Sequence, residues 1–426
     1  MLASVITLGC KVNEYESQSI LNQLKSAGYE IAEGLIKADV YVVNTCAVTN
    51  MAERKSRQVI TKINKLNENA KIIVCGCASQ NNPGQFLINK NVIALTGTAG
   101  KEEILKFIEK ENKVLPEIDH KCYKKMARPI ETRTRQFIKI QDGCDFFCSY
   151  CLIPYVRGRS RSRDLQDVVD EIKSTQANEI VLTGINMSDY RINGELALKT
   201  LVKEVDKLNK RFRISSIECL ALDDEMLDIL ANSKNFCPHF HLSLQSACNE
   251  TLKRMNRHYT IEEFKEIVRK IKTKFNKPHI ATDIIIGFKG ETYEEFNNTV
   301  DNVKDIEFSS MHIFPYSERS GTVACKLDGA VDKCTVKERE SVLIELNTKF
   351  RERFIKENIN TQHQVLIEEV DGEFSLGYTE NYIYTYIEGQ HEIGEIVNVE
   401  LKEIFKNGML GVSFWAKQSE VEESYN

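Results

Sequence analysis

A chain of 426 residues is longer than one average domain, so two or three are expected, and 42% hydrophobic with 28% charged residues is an ordinary globular composition. No apolar run approaches the roughly 18–20 residues of a membrane helix, and MLASVITLGCKVNEYES lacks the basic start and apolar stretch of a signal peptide, so a cytoplasmic protein with no membrane partner is expected. A net charge of −5 excludes a uniformly basic nucleic-acid binder, and 13 cysteines, an odd number for a reducing compartment, favour metal or cluster ligation over a disulfide framework.

The first hundred residues alternate strand and helix. ASVITLG, ADVYVVNTC and KIIVCGC read as strands. VNEYESQSILNQLKSAGYE and TNMAERKSRQVITKINKLNENA read as helices, the first closed at Gly28 and the second capped by Thr49 or Asn50. This order predicts a small parallel α/β domain over residues 1–112. Cys10, Cys46 and Cys77 each fall at the carboxyl end of a predicted strand. In a parallel sheet those ends share one edge, where ligands bind, so three cysteines spread over 68 positions are expected to converge.

Residues 113–136 read as a basic linker. From 137 to 360 a second alternation offers six strands: QFIKIQDG, EIVLTGIN, RFRISSIE, HFHLSLQS, HIATDIIIGF and SSMHIFPYS. A complete TIM barrel needs eight such units, so six predict a partial (β/α)6 barrel with its site at the carboxyl ends of the strands. A long charged helix, TVKERESVLIELNTKFRERFIKENIN, leads out of it. Residues 361–426 contain short β-rich runs, QVLIEEV, YIYTYIEG, IVNVELKEIF and MLGVSFWAK, which predict a small β-barrel. That tail holds 13 acidic residues and 3 lysines, a net of −10, so positive charge concentrates elsewhere, at 121–135 and 157–163.

After the first barrel strand comes GCDFFCSYC, with Cys144, Cys148 and Cys151 spaced CxxxCxxC. Zinc sites usually close with four ligands, and no further Cys or His occurs in the next 67 residues. Three thiolates fit an iron–sulfur cubane better, with one iron left open for a cofactor; zinc with a distant fourth ligand is the alternative. CxxxCxxC with Tyr150 before its last cysteine resembles the signature of radical S-adenosylmethionine (SAM) enzymes. TLGCKVNEYES, VVNTCAVTN and GCASQ resemble the cysteine motifs of the methylthiotransferase family. FCSYCLIPYVRGRSRSR, ISSIE, LSLQSACNETLKRMNR, TDIIIGF and IFPYSERSGTVA continue that resemblance in order, and the tail is similar to the RNA-binding TRAM barrel.

The resemblance implies two [4Fe-4S] clusters, one on Cys144, Cys148 and Cys151 and an auxiliary one on Cys10, Cys46 and Cys77. Cys75 is the near miss: the family motif Gly-Cys-x-x-Gln selects Cys77 through Gly76 and Gln80, leaving Cys75 as a small buried residue. The implied chemistry is reductive cleavage of SAM, hydrogen abstraction from an aromatic C–H by the 5′-deoxyadenosyl radical, and transfer of a methylated sulfur. Tyr150, Thr183, Gly184, Asn186, Glu218, Ser243 and Gln245 are the candidate SAM contacts; a strand-end polar residue that only caps a helix is the alternative for each. An electron donor such as flavodoxin or ferredoxin is implied, and the sulfur donor is not specified.

Lys11-Val12-Asn13 after the first cysteine, and RGRSRSR, resemble the branch acting on threonylcarbamoyladenosine in the tRNA anticodon loop. The isopentenyladenosine and ribosomal-protein branches usually differ there and remain alternatives, as does a non-catalytic iron–sulfur or zinc RNA-binding protein. Arg157, Arg159, Arg161 and Arg163 alternate, as on one face of an extended segment. They are candidate substrate contacts; pairing with barrel carboxylates is the alternative. Two features depart from the family: Lys289 stands where Pro is usual, and the acidic tail repels phosphate. A local face of Tyr382, Tyr384, Tyr386 and Lys402 is one route to RNA, and packing of the tyrosines in the barrel core is the other reading.

Overall fold

The computed structural model describes residues 1–131 and 133–414. Five parallel strands form the first sheet, in the spatial order Glu30–Glu33, Leu2–Thr7, Val40–Thr45, Lys71–Gly76, Val92–Gly97. The three strands read from the sequence lie in the middle, and the two outer ones are additions. Alternation along the strands splits the core in two. Ala3, Val5, Val40, Val42, Ile73 and Cys75 pack with Ile20, Leu21 and Leu24 of the helix Lys11–Ser26. Ile6, Tyr41, Val43, Ile72 and Val74 pack with Ile60 and Ile63 of the helix Asn50–Leu66 on the other face. Thr49 caps that second helix, its hydroxyl accepting from the Ala52 N–H at 3.1 Å.

Six parallel strands follow: Arg135–Asp142, Glu179–Gly184, Arg211–Ile214, His239–Gln245, His279–Ile286 and Ser310–Pro315. They form two sheets joined by the bridges Phe212↔Phe236 and Ile217↔Leu242, a partial barrel whose first and last strands are not paired with each other. Helices such as Ile261–Lys274 and Tyr293–Ile306 cover the outside, both opened by a Thr-x-x-Glu capping box.

The helix Lys333–Glu357 leads to a closed five-stranded barrel of Gln362–Asp371, Phe374–Thr379, Tyr384–Glu388, Ile396–Phe405 and Gly408–Ser413. The strand Phe374–Thr379 escapes the sequence pattern because Gly377 interrupts it, and a Cβ there would lie 1.8 Å from the Leu366 carbonyl oxygen. The last predicted run, MLGVSFWAK, passes beyond residue 414 and so lies partly outside the described residues. The small barrel docks on the amino ends of the larger barrel's strands. Arg213 donates to the carbonyls of Thr379 and Glu380 at 2.8 and 2.7 Å, and His239 stacks on Tyr382 with ring centroids 4.4 Å apart.

Candidate active site

Cys144, Cys148 and Cys151 occupy the loop that leaves the carboxyl end of Arg135–Asp142. Each sulfur receives an N–H: from the Phe146 backbone to Cys144 (3.5 Å), the Ile153 backbone to Cys151 (3.4 Å) and the Arg257 guanidinium to Cys148 (3.2 Å). Burial pushes the free thiols up, Cys144 to about 11 and Cys151 to about 12, so donors and bound metal must act together to hold them as thiolates.

A cavity of about 330 Å³ opens beside the loop. Cys144, Cys148, Cys151, Tyr150, Asn186, Glu218, Ser243 and Gln245, all singled out from the sequence, line it. Asn186 is buried, and its Nδ2 makes no full hydrogen bond among the described residues, although it lies near enough to the Cys144 thiol to favour the thiolate. Glu218 pairs with Arg257, which also donates to the Ser243 carbonyl at 2.8 Å. Gln245 ends its strand in the left-handed region, at φ +71°, a strained backbone of the kind that persists at binding sites. Ile285, Phe314 and Tyr316 join Tyr150 on the apolar side. Arg257 and Tyr316 were not picked out from the sequence, since nothing local marks an arginine in LKRMNR or a tyrosine in IFPYS as facing a loop more than a hundred positions away.

Thr183 and Gly184, the remaining candidates, are placed differently. They line a second, wider cavity instead of this one. The strand Glu179–Gly184 is still inside the barrel at these residues, and only after the chain turns does Asn186 reach the cysteine loop.

The other three cysteines meet as the parallel sheet requires. Thr45 and Gly76 are register partners, so Cys46 and Cys77 leave adjacent strands side by side. Gly9, at φ +111°, brings Cys10 against them: a Cβ on Gly9 would lie 2.8 Å from Cys46 Cβ. Cys75 instead packs in the helical layer on the opposite face from Cys77. Burial raises the Cys46 thiol to about 11.

Arg157 lies behind this triad, 1% exposed. Its Nε donates to Cys77 Sγ at 3.3 Å, and its other nitrogens reach Glu16 at 2.9 Å, Asp142 at 3.0 Å and Asn13 at 2.7 Å. Lys101 and Lys139 also pair with Glu16. Burial alone would raise the Glu16 carboxyl, but Arg157, Lys101 and Lys139 outweigh it and hold it well below the usual range. Three buried cations thus face two carboxylates, and the surplus points at Cys77. That donor set fits a thiolate-bound cluster, and the unpaired Asn186 donor beside three thiols fits a cluster with a polar cofactor.

The single arginine face is also corrected. Arg157 ends a short helix, and Arg163 is buried in pairs with Asp167 and Glu171, both at 2.6 Å. Arg161 is largely buried, its nitrogens on the carbonyls of Arg159 and Arg157 at 2.9 Å each and 3.9 Å from Asp142. Only Arg159 is exposed, over the Phe147 ring at 4.7 Å and 3.2 Å from Asp145.

The wider cavity, about 1360 Å³, runs from Gly9, Cys10 and Lys11 past Thr183 and His241 to the small barrel, and shares Val48, Ile153 and Ile185 with the cysteine-loop cavity as a common wall. Cys144, Cys148 and Cys151 therefore line one cavity, and Cys10 of the other triad lines its neighbour across that wall. Tyr378, Tyr382 and Tyr384 line the far end. Ile383 and Ile387 build the small barrel's core from one strand face; Tyr384 and Tyr386 take the other, where Tyr386 is nonetheless buried against Phe374 and Phe405, and Tyr382 lies outside the strand at φ +67°. Lys402 is neutralised by Glu400 at 2.7 Å, and Lys289 pairs with Glu318 at 2.8 Å.

Residues 138–303 match the family model described as the radical SAM superfamily, and residues 3–97 that described as uncharacterized protein family UPF0004. A Bacillus subtilis protein named threonylcarbamoyladenosine tRNA methylthiotransferase MtaB is 38% identical over 420 residues, covering 93% of this chain and 92% of its own. Its namesake from Aquifex aeolicus is 37% identical over 408 residues, covering 92% and 98%. A Natranaerobius thermophilus protein named tRNA-2-methylthio-N(6)-dimethylallyladenosine synthase is 32% identical over 422 residues, covering 93% of each. Among solved structures, the radical SAM methyltransferase TsrM from Kitasatospora setae superposes with a TM-score of 0.55 at 16% identity over 74% of each chain, a likeness of fold. With relatives this similar over nearly its whole length, and both cysteine triads in place, the chain belongs to the radical SAM methylthiotransferase family, an enzyme family built on SAM and iron–sulfur clusters.

Proposed function

We propose that this enzyme inserts a methylthio group at C2 of threonylcarbamoyladenosine next to the anticodon of tRNA. The observation that carries the reading is that the loop of Cys144, Cys148 and Cys151 lines one cavity while Cys10 lines the adjoining one, so that groups held by the two triads would face neighbouring spaces. The branch rests on the relatives: those named for threonylcarbamoyladenosine are 33–38% identical, those named for dimethylallyladenosine 31–32%.

Cys144, Cys148 and Cys151 hold the radical cluster, and Cys10, Cys46 and Cys77 the auxiliary one. When bound, the clusters and SAM supply the electron, the hydrogen-abstracting radical and the methylated sulfur. The chain's own side chains orient and shield. Asn186 and the Glu218–Arg257 pair fix the polar parts of SAM, and Tyr150, Ile285 and Phe314 give its adenine a dry wall. Asn186→Ala is expected to cost little stability, because its buried donor is unsatisfied, and to weaken SAM about 10-fold; calorimetry and thermal melting check both.

The anticodon loop enters the wider cavity, whose far end is an aromatic wall of Tyr378, Tyr382 and Tyr384, with Tyr382 already stacked on His239 and Tyr378. Arg159 is the phosphate contact of the arginine run. Arg159→Ala is expected to weaken stem-loop binding a few-fold and to lower the slope of log affinity on log salt by about 0.7, with melting unchanged. A flavodoxin or ferredoxin supplies electrons, and the protein works in the cytoplasm; among the described residues no helix is long and apolar enough to cross a membrane.

The test offers the reconstituted protein two anticodon stem-loops, one carrying threonylcarbamoyladenosine and one isopentenyladenosine. Methylthiolation of the first is expected. Product only from the second contradicts the branch.

A further inference from the structure

Two cations, Lys11 and Arg351, line the wider cavity together with Glu368, Glu369, His241 and His312, and burial disfavours the charged form of His312. Glu368 is taken by Arg135 at 2.7 Å, and His241 rests on Asp283 at 3.1 Å. Among the described residues, neither Lys11 nor Arg351 has a carboxylate partner within salt-bridge distance. Stability of the helix does not explain Lys11 either: it is the first residue of Lys11–Ser26, where the helix dipole disfavours a cation. It directly follows the auxiliary cysteine Cys10.

We infer that Lys11, with Arg351, binds the carboxylate of the threonylcarbamoyl group and so selects this nucleoside, an inference that rests on the function proposed above. On a purine, C2 and C6 flank N1 along one edge. A substituent on N6 therefore lies near C2, and a residue adjoining an auxiliary-cluster ligand is within its reach. The threonyl carboxylate is the anionic part of that substituent, and it supplies the partner the two cations lack. An apolar isopentenyl group in the same place would strip water from the Lys11 ammonium and return nothing, so the same residue rejects the rival nucleoside.

The test uses the full chain with both clusters and stem-loop RNAs carrying threonylcarbamoyladenosine or its methyl ester, which keeps the shape and loses the charge. For wild type, esterification is expected to raise KM about 10- to 100-fold, the worth of one charge-assisted hydrogen bond. Lys11→Met is expected to raise KM for the acid by a similar factor and to leave the ester nearly unaffected, while Lys11→Arg keeps most of the preference for the acid. Iron content and melting establish that each variant is loaded and folded. Should Lys11→Met not load, the acid-to-ester ratios of wild type, Lys11→Arg and Arg351→Gln decide. Equal weakening of acid and ester by Lys11→Met would assign the lysine to an RNA phosphate and overturn the inference. So would a wild type indifferent to esterification. A wild type inactive on both RNAs but active on an isopentenyladenosine stem-loop would instead refute the nucleoside assignment itself.

Discussion

Cys77→Ala is expected to lower iron from about eight to about four per chain and to abolish the methylthio product, while reductive SAM cleavage at the other triad continues. Cys75→Ala, two positions away, is expected to keep all the iron and to cost only about 1 kcal/mol of packing. The contrast follows from the sheet. Cys77 leaves the strand end beside Cys46, whereas Cys75 faces the helical layer with Ile73 and Ala94. Iron analysis of both variants decides: loss of iron from Cys75→Ala, or its retention in Cys77→Ala, would mean that the auxiliary ligands are wrongly chosen.

Arg157→Leu is expected to destabilise the protein by about 3–5 kcal/mol and to lose the auxiliary cluster. The substitution leaves Glu16 and Asp142 buried with fewer cations, and takes from Cys77 the only guanidinium that reaches it among the described residues. Because Glu16 is held below the ordinary carboxylate range, the network's contribution is complete above about pH 4.3 and is lost as pH falls toward the folded-state value. The gap in denaturant midpoint between Arg157→Leu and wild type should therefore narrow on acidification. A variant as stable as wild type that keeps its iron would show Arg157 to be a replaceable filler.

What was legible in the sequence was local. A β-branched run followed by Gly-Cys or Thr-Cys identifies a strand and its end together, so the central strands and the convergence of Cys10, Cys46 and Cys77 could be read locally, whereas the choice of Cys77 over Cys75 and both ligand sets rest on the family resemblance. The arginines could not. Spacing of two suggested an exposed stripe, but Arg157 is buried by Glu16 from 141 positions away, and Arg163 by Asp167 and Glu171 of the helix that follows it. The tyrosines of the small barrel were ambiguous for a related reason: with Ile383 and Ile387 alternating among them, the pattern fixes two faces without saying which is the core, and Tyr386 is buried while Tyr382 is exposed. Arg257 gives no local sign at all, because its function depends on a partner loop 109 positions distant.

The central claim is that this enzyme converts threonylcarbamoyladenosine in tRNA to its 2-methylthio form. Nucleoside mass spectrometry of tRNA from cells with and without the protein tests it most directly. The methylthio derivative of threonylcarbamoyladenosine is expected only when the protein is present, with Cys144→Ala behaving as its absence. If that nucleoside is unchanged while a different methylthio product follows the protein, the cysteine chemistry stands and the assignment of the substrate is contradicted.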